Sequence, residues 1–219
     1  MGTITRNAAN NFTTGGVILP AAINDASVAS LTELENVAAG GAMNLISEQT
    51  ASGSASIEFT SGIDSTYPIY KFEFINMHPA TDGVEFTVNF RDGGSLYDAI
   101  KTSSLFISYH TEDDTQTALS YNTVNDLAQS TGFQNIMVDM SSNNDASGSG
   151  EMYLFNPSST TFVKHFLIRT NYMHNSPQTI TYNLAGYCNT TTAIDGVQFK
   201  MNSGNIDSGT IKLYGISGS

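Results

Sequence analysis

Apolar and polar residues alternate along most of the chain beyond Gly41. The segment IYKFEF (69–74) sets three aromatic rings against Lys71 and Glu73, and VEFTVNF (84–90) alternates apolar residues with Glu, Thr and Asn. Successive side chains of a β-strand point to opposite faces. Both segments therefore predict strands with one buried and one solvated face.

The same signal recurs at the spacing of an all-β domain. Eight further strand candidates are SIEFT (56–60), SLFISYH (104–110), NIMVDM (135–140), EMYLF (151–155), FVKHFLIR (162–169), YNLAGYC (182–188), VQFKM (197–201) and TIKLYGI (210–216). Only 115–130 lacks the period of two, which predicts a long connection with a helical turn. About ten strands joined by Gly- and Asp-rich turns indicate an antiparallel β-sandwich, most simply jelly-roll-like.

The segment 162–169 has apolar residues on both of its faces. One face, with Phe162, Phe166 and Ile168, belongs in a core. The other is too apolar for open solvent and too charged for a second core, and it consists of Val163, His165, Leu167 and Arg169. An internal segment, a neighbouring subunit or a ligand are the three alternatives for covering it, and a subunit interface is the favoured one.

Residues 1–40 differ from the remainder, because Phe12 is the only aromatic residue before Phe59. This segment has two short apolar clusters, which consist of Val17, Ile18, Leu19 and Pro20 and of Val28, Leu31 and Leu34. Such clusters bury too little surface to fold alone. The sequence thus predicts an extended anchoring arm (1–40) and a β-sandwich domain (41–219), with a leader of no function as the alternative for the arm.

Charge and cysteine content restrict the partners and the compartment. Eight basic and 20 acidic residues give a formal net charge of -12, which disfavours nucleic acid and anionic membranes as direct partners. The single Cys188 allows no intrachain disulfide and favours folding in a reducing cytoplasm. The first 22 residues lack a charged start followed by a long apolar run, so we expect no export signal.

Residues with catalytic or metal-binding chemistry are scattered. The four histidines have no metal-ligand spacing, and no GxSxG nucleophile motif occurs. Two acidic loops, Glu112–Asp114 and Asp145, are more simply solvated loops than calcium sites. We therefore expect a protein without catalytic residues, metal or cofactor.

Three sequence blocks resemble a family of virion structural proteins of marine tailed phages, including cyanophages. The blocks are FINMHPATDGVEFTVNFRDGGSLYDA (74–99), EMYLFNPSSTTFVKHF (151–166) and AGYCNTTTAIDGVQFKMNSGNIDSGTIKLYGI (185–216). The resemblance extends over roughly residues 42–216 and excludes the arm. It implies a place in the virion, reached after assembly in the host bacterial cytoplasm, and it brings no catalytic residues.

Two functions follow from this resemblance as expectations. The first is a capsid decoration or cement protein that binds the major capsid protein or other virion proteins, most simply as a homo-oligomer, with a trimer favoured. The alternative is a tail-fibre or knob adhesin that binds a host receptor. An adhesin needs an exposed aromatic platform, for which the candidates are Tyr97, Tyr109, Tyr121 and Tyr172.

Overall fold

The computed structural model describes residues 43–217, which form twelve β-strands and no helix. In chain order the strands are β1 (Met43–Ser54), β2 (Ile57–Phe59), β3 (Ile69–Pro79), β4 (Val84–Arg91), β5 (Lys101–Thr111), β6 (Thr117–Tyr121), β7 (Gln134–Met140), β8 (Gly148–Phe155), β9 (Lys164–Met173), β10 (Gln178–Cys188), β11 (Gly196–Met201) and β12 (Ile206–Ile216). The predicted arm, residues 1–40, lies outside the described residues.

The strands form two antiparallel sheets. The large sheet has the order β1-β12-β3-β8-β9-β10-β5-β6, and the small sheet has the order β2-β11-β4-β7. Side chains of both sheets contribute to one hydrophobic core. The all-β antiparallel sandwich predicted from the alternation is therefore confirmed.

The centre of the core is a cluster of phenylalanine rings. Phe199 of β11 contacts the rings of Phe72 and Phe74 on the large sheet, at centroid distances of 5.4 and 5.2 Å, and the rings of Phe59 and Phe86 on the small sheet, at 6.3 and 5.9 Å. Edge-to-face and offset contacts of this kind add to the stabilisation from burial alone. The inward residues of the predicted strands thus hold the two sheets together.

Strands β9, β10, β5 and β6 form one side of the large sheet. Their inner face is covered by β7 of the small sheet, which contacts β9 and β10, and by the segment after β6, whose Asn125 side chain bonds to the Tyr182 hydroxyl. Thr170 Oγ1 donates to the carbonyl of Ile136 at 2.6 Å, and Ser103 Oγ donates to Gln134 Oε1 at 2.7 Å. These buried polar groups are paired, which removes the cost of their desolvation.

Two strands were not predicted. The edge strand β1 is mostly polar and lacks an apolar alternation, and its cross-strand contacts with β12 include the ion pair of Glu48 with Lys212 at 3.1 Å. Strand β6 lies within 115–130, so the prediction of a helical turn there is wrong. Pairing with β5 organises this polar segment as a strand.

The polar face of β4 is also not solvated, contrary to the prediction. Thr87 and Asn89 are buried. Thr87 Oγ1 donates to the carbonyl of Lys200 at 2.8 Å, and Asn89 Nδ2 donates to the carbonyl of Thr131 at 3.0 Å. A loop therefore covers this face, and polar side chains that bond to backbone carbonyls can occupy it.

One row of the large sheet's inner face carries two buried lysines and the cysteine. Cys188 of β10 pairs with Lys101 of β5 and with Lys164 of β9. Lys101 Nζ donates to two backbone carbonyls at 2.7 and 3.0 Å, and Lys164 Nζ donates to Thr190 O at 3.1 Å. Burial lowers the pKa of Lys101 to about 8, lowers the pKa of Lys164 and raises the pKa of the Cys188 thiol to about 12.

Candidate functional site

The outer face of β8, β9, β10 and β5 brings together side chains from four segments of the chain. The strand register sets Tyr153, Leu167, Ala185 and Ser104 side by side in one row. The next row on the same face holds Glu151, Arg169, Asn183 and Phe106. Apolar, aromatic, charged and amide groups thus alternate over a surface four strands wide.

A depression of about 360 Å³ lies on this face and is called the outer depression below. Its lining includes Tyr153 and Phe106 from the two outer strands, Leu167 and Arg169 from β9, and Ala185 from β10. Ala185 and Ser104 have short side chains, whereas Tyr153, Phe106 and Arg169 around them are longer, which forms the depression. The volume lies within the range of about 300–1,000 Å³ found for small-ligand sites.

Three polar side chains at the outer depression make no hydrogen bond with the described residues: Arg169, Asn183 and Ser104. Asn171, two residues after Arg169 on β9, shows the contrast, because its Nδ2 donates to Thr179 Oγ1 at 2.9 Å and to Ile180 O at 3.1 Å. The donors and acceptors at the depression are therefore available to a ligand.

Arg169 is distinct among the basic residues. Residues 43–217 contain seven lysines and arginines. Six of them have an acidic, carbonyl or aromatic partner, namely Lys71, Arg91, Lys101, Lys164, Lys200 and Lys212. Within this described part of the chain, Arg169 has no such partner.

Glu151 lies opposite Arg169 in the β8–β9 register but is engaged elsewhere. Its Oε2 lies 3.1 Å from Lys71 Nζ and accepts from the Tyr153 hydroxyl at 3.2 Å. Lys71 also pairs with Glu73 at 2.8 Å, and these two carboxylates raise its pKa against the effect of burial. The arrangement leaves the guanidinium of Arg169 exposed and able to bind an anion in bidentate geometry.

Three of the four predicted interface residues lie together on this face. His165, Leu167 and Arg169 are exposed and project outward from β9. Val163 does not lie in the strand, because β9 begins at Lys164. It is half-buried in the preceding bend, so its placement in this set by strand alternation is wrong.

The preceding turn also changes the prediction for Phe162, which was assigned to the core face. Ser159 Oγ accepts from the backbone N–H groups of Thr161 and Phe162, at 3.2 and 3.0 Å, so the chain is still turning there. Phe162 is exposed as a result. Phe166 and Ile168, two residues apart within β9, are buried as predicted.

The connection 115–130 does not cover the outer face of β9. Its second half reaches the opposite side of the sheet, where Asn125 Nδ2 donates to the hydroxyl of the buried Tyr182 at 3.3 Å. Leu127 N donates to Ser103 Oγ at 2.9 Å, also near the inner face. Leu167 remains 48 % exposed among the described residues.

A second exposed apolar surface lies at the β6 edge of the large sheet. It consists of Leu119, Tyr121 and Val124, which are 71 %, 54 % and 86 % exposed, and is called the edge patch below. Phe106 of β5, opposite Tyr121, is 49 % exposed and joins this patch to the outer depression. Contiguous exposed apolar groups on a domain are typical of binding surfaces.

The four tyrosines predicted for an adhesin platform do not lie together. Tyr172 is buried in the core, where burial raises its pKa, and Tyr109 packs against the same core. Tyr97 donates to Glu58 Oε2 at 3.2 Å, and Tyr121 belongs to the edge patch. The outer face instead presents Phe106, Tyr153, Phe155 and Tyr187, in addition to Tyr121.

Among residues 43–217, no group of three or more His, Cys, Asp and Glu side chains is placed to hold a metal ion. His110 lies 2.9 Å from Asp114, and Asp113 accepts from the backbone and hydroxyl of Thr115, at 3.1 and 2.7 Å. Glu112 and Asp145, from the two acidic loops, line one shallow depression. The acidic groups of the first loop are thus used largely within their own turn.

Sequence reasoning missed Phe106, Tyr153 and Asn183. Each lies at an outward position of a strand that was predicted, so the alternation identified the face. Strands β8, β9 and β10 follow one another in the chain and pair in that order, whereas the pairing of β10 with β5 joins distant segments. Local sequence patterns carry no signal for the pairing of β10 with β5.

The predicted anchoring residues lie outside the described residues. They are Val17, Ile18, Leu19, Pro20, Val28, Leu31 and Leu34. In the described part of the chain, none of the secondary structure is a helix with the length and hydropathy to cross a bilayer. Comparison with protein-family models, with curated proteins and with solved structures gave no match.

Proposed function

We propose that the chain is a non-enzymatic structural protein of a tailed-phage particle, most simply a capsid decoration or cement protein. The supporting observation is the outer face of the large sheet, where Phe106, Leu119, Tyr121 and Leu167 expose apolar surface on a β-sandwich. Burial of such surface against a partner is the main driving force of association. The location in the phage particle is inferred from the resemblance of the three sequence blocks to virion proteins.

We also infer that the sandwich is an elaborated jelly roll. Without β5, β6, β9 and β10, the sheets have the orders β1-β12-β3-β8 and β2-β11-β4-β7. In a renumbering of these eight strands, the orders are 1-8-3-6 and 2-7-4-5, which two Greek keys generate. Jelly rolls occur in viral capsid proteins and in lectins, so this topology agrees with both functions without selecting one.

In this proposal residues 1–40 attach the chain to the major capsid protein or to another virion protein. The support comes from the amino-acid sequence, because apolar clusters of this size bury too little surface to fold alone and are suited to binding a partner. Deletion provides the test. A chain that begins at Gly41 retains all twelve strands, so it should fold, but it should fail to bind particles that lack the protein. Binding equal to that of the full chain would place the attachment in the sandwich.

The proposal includes a homo-oligomer, with a trimer favoured. The sequence predicts that the contact between subunits lies on β9. The edge patch at Leu119, Tyr121 and Val124 offers a second exposed apolar surface for such a contact. Light scattering on the purified full chain measures the assembly state. A monomer at high concentration would remove this part of the proposal.

Copy number in purified particles separates the two functions. A decoration protein binds a repeating lattice and should be present in tens to hundreds of copies, whereas an adhesin should be present in few. Quantitative gel analysis against the major capsid protein gives the ratio. Few copies would exclude decoration, and absence from the particle would exclude both functions.

The adhesin alternative is kept because of one observation. Aromatic rings and unpaired polar side chains occur together at the outer depression, as a receptor site requires. Purified chain that binds host cells and blocks phage attachment would favour this function. Binding to particles but not to cells would favour decoration.

A further inference from the structure

The outer depression combines groups that recognise different parts of one ligand. Tyr153 and Phe106 contribute apolar ring surface, and Asn183 and Ser104 contribute unpaired amide and hydroxyl groups. Arg169 adds a cation. A sugar presents C–H surface to aromatic rings and hydroxyls to amides, and a carboxylate on the sugar matches the guanidinium.

We propose that the outer depression binds a carboxylate-bearing saccharide of a few units, whose carboxylate pairs with Arg169 while Tyr153 and Phe106, at the two sides of the depression, contact its sugar rings. This inference goes beyond the proposed function and does not depend on it, but it assigns Phe106 and Leu167 to a ligand and leaves the edge patch for a protein contact. An acidic ligand is chosen because its negative charge complements the positive charge of Arg169. A chain with net charge -12 carries this unpaired arginine at a depression that two aromatic side chains also line.

Charge in the neighbouring strands argues against a second copy as the occupant. In a symmetric contact, the charged partner for Arg169 of the other copy would be a carboxylate of the same face. Glu73 of β3 and Glu151 of β8 lie in the same row of the sheet as Arg169, and Lys71 forms an ion pair with each of them. If either glutamate paired with Arg169 of the other copy instead, its ion pair with Lys71 would be lost.

Shape also favours a small ligand. Stable protein contacts bury about 800 Å² on each partner over closely matched surfaces. The outer depression has a volume of about 360 Å³ and a recessed floor, which suits a few sugar units better. A saccharide and a second copy exclude each other at Leu167 and Arg169, so a subunit contact that coexists with the ligand would use the edge patch.

Titration calorimetry on the purified full chain provides the test. The probes are trimers of galacturonate, of glucuronate and of mannuronate, and sialyllactose. The methyl ester of the best-binding probe is the matched neutral ligand. At least one acid should bind, and its ester should bind about 10- to 100-fold more weakly, since the ester loses the charged hydrogen bonds to Arg169. If none of the four acids binds, or if acid and ester bind equally, the inference is wrong.

Three variants connect the binding to the depression. Arg169→Gln should weaken binding of the acid about 10- to 100-fold without changing affinity for the ester. Lys212→Gln removes the same charge from a paired lysine of β12 and should leave affinity unchanged. Tyr153→Leu should weaken both ligands about 3- to 10-fold. Equal effects of Arg169→Gln and Lys212→Gln would show that binding depends on net charge alone. They would contradict the assignment of the ligand carboxylate to Arg169.

Two further measurements distinguish other occupants. A hexaglutamate peptide that binds as tightly as the acidic sugars would show recognition of carboxylates alone and would contradict the saccharide. Sedimentation velocity of Arg169→Gln should match that of the unchanged chain. A change of assembly state would instead assign this face to a second copy. Equal urea unfolding midpoints for all variants establish that the comparison is between folded proteins.

Discussion

The inner face of β9 packs in the hydrophobic core, whereas its outer face is exposed. On the inner face, Phe166 stacks on Phe90 of the small sheet at a centroid distance of 5.2 Å, and Ile168 is buried beside it. On the outer face, Leu167 and Arg169 are exposed and have no covering segment among the described residues. The inner residues serve folding, whereas the outer residues are free to serve binding. One strand thus carries two kinds of constraint at alternate positions.

The largest expected effect is on the free energy of unfolding, and it is seen by substituting two adjacent residues, one on each face of β9. Phe166→Ala removes a fully buried ring and should lower the free energy of unfolding by about 3–5 kcal/mol, because it leaves a cavity in the core. Leu167→Ala should lower it by less than about 1 kcal/mol, since the side chain is half exposed in the folded state. Urea unfolding measures both. Similar losses would mean that the outer face is packed too.

The second prediction concerns a cation on the inner face. Lys101 has a pKa of about 8 in the folded chain and an ordinary value of 10.5. Between these values the unfolded chain binds more protons, so stability should rise with pH and be lost as the pH falls toward 8. From pH 8 to 9.5 the contribution of Lys101 amounts to about 2 kcal/mol. Urea unfolding across this range measures the slope.

Lys101→Met is the control for that slope. Its absolute stability is a poor guide, because the carbonyls of Ala99 and Gly132 lose their donor. The thiol of Cys188, whose pKa is raised by burial, opposes the slope above about pH 9 in both proteins. The difference between the two proteins therefore isolates Lys101. Identical pH dependence would show that this lysine is not buried as a charge.

A smaller effect is expected at the edge of the sheet. If the edge patch is the subunit contact, Leu119→Lys should weaken self-association about tenfold, because it places a charge in an apolar contact. Leu96→Lys changes an equally exposed leucine in the loop between β4 and β5 and should leave association unchanged. Sedimentation equilibrium gives both constants. Equal effects would exclude the edge patch as a specific contact.

The inner faces of the strands were the readily predictable part of the molecule. Alternation identified Phe72, Phe86 and Ile168 as core residues because apolar burial repeats with the strand period. It failed for Thr87, whose hydroxyl bonds to a backbone carbonyl across the sheet. Such a pairing makes a polar residue suitable for burial and leaves no mark on local hydrophobicity.

The candidate site could be predicted only in part. The exposed apolar and charged positions of β9 were recognised from their own sequence, as Leu167 and Arg169 show. Asn183 comes from β10, which forms a hairpin with β9, whereas Phe106 comes from β5, which reaches the site through long-range pairing with β10. The turn that delays β9 until Lys164 depends on Ser159, so the position of Val163 was also beyond a period-two rule.

The most direct test of the two-face account is the reactivity of a thiol placed on the outer face. Cys188 is buried, so the unchanged chain should react with Ellman's reagent only after unfolding. Leu167→Cys should release one equivalent of thionitrobenzoate per folded chain, at a rate within about tenfold of a small thiol. A saturating acidic saccharide should slow that reaction. If the thiol at position 167 reacts as slowly as Cys188 in the full chain without ligand, the outer face is covered and the account is contradicted.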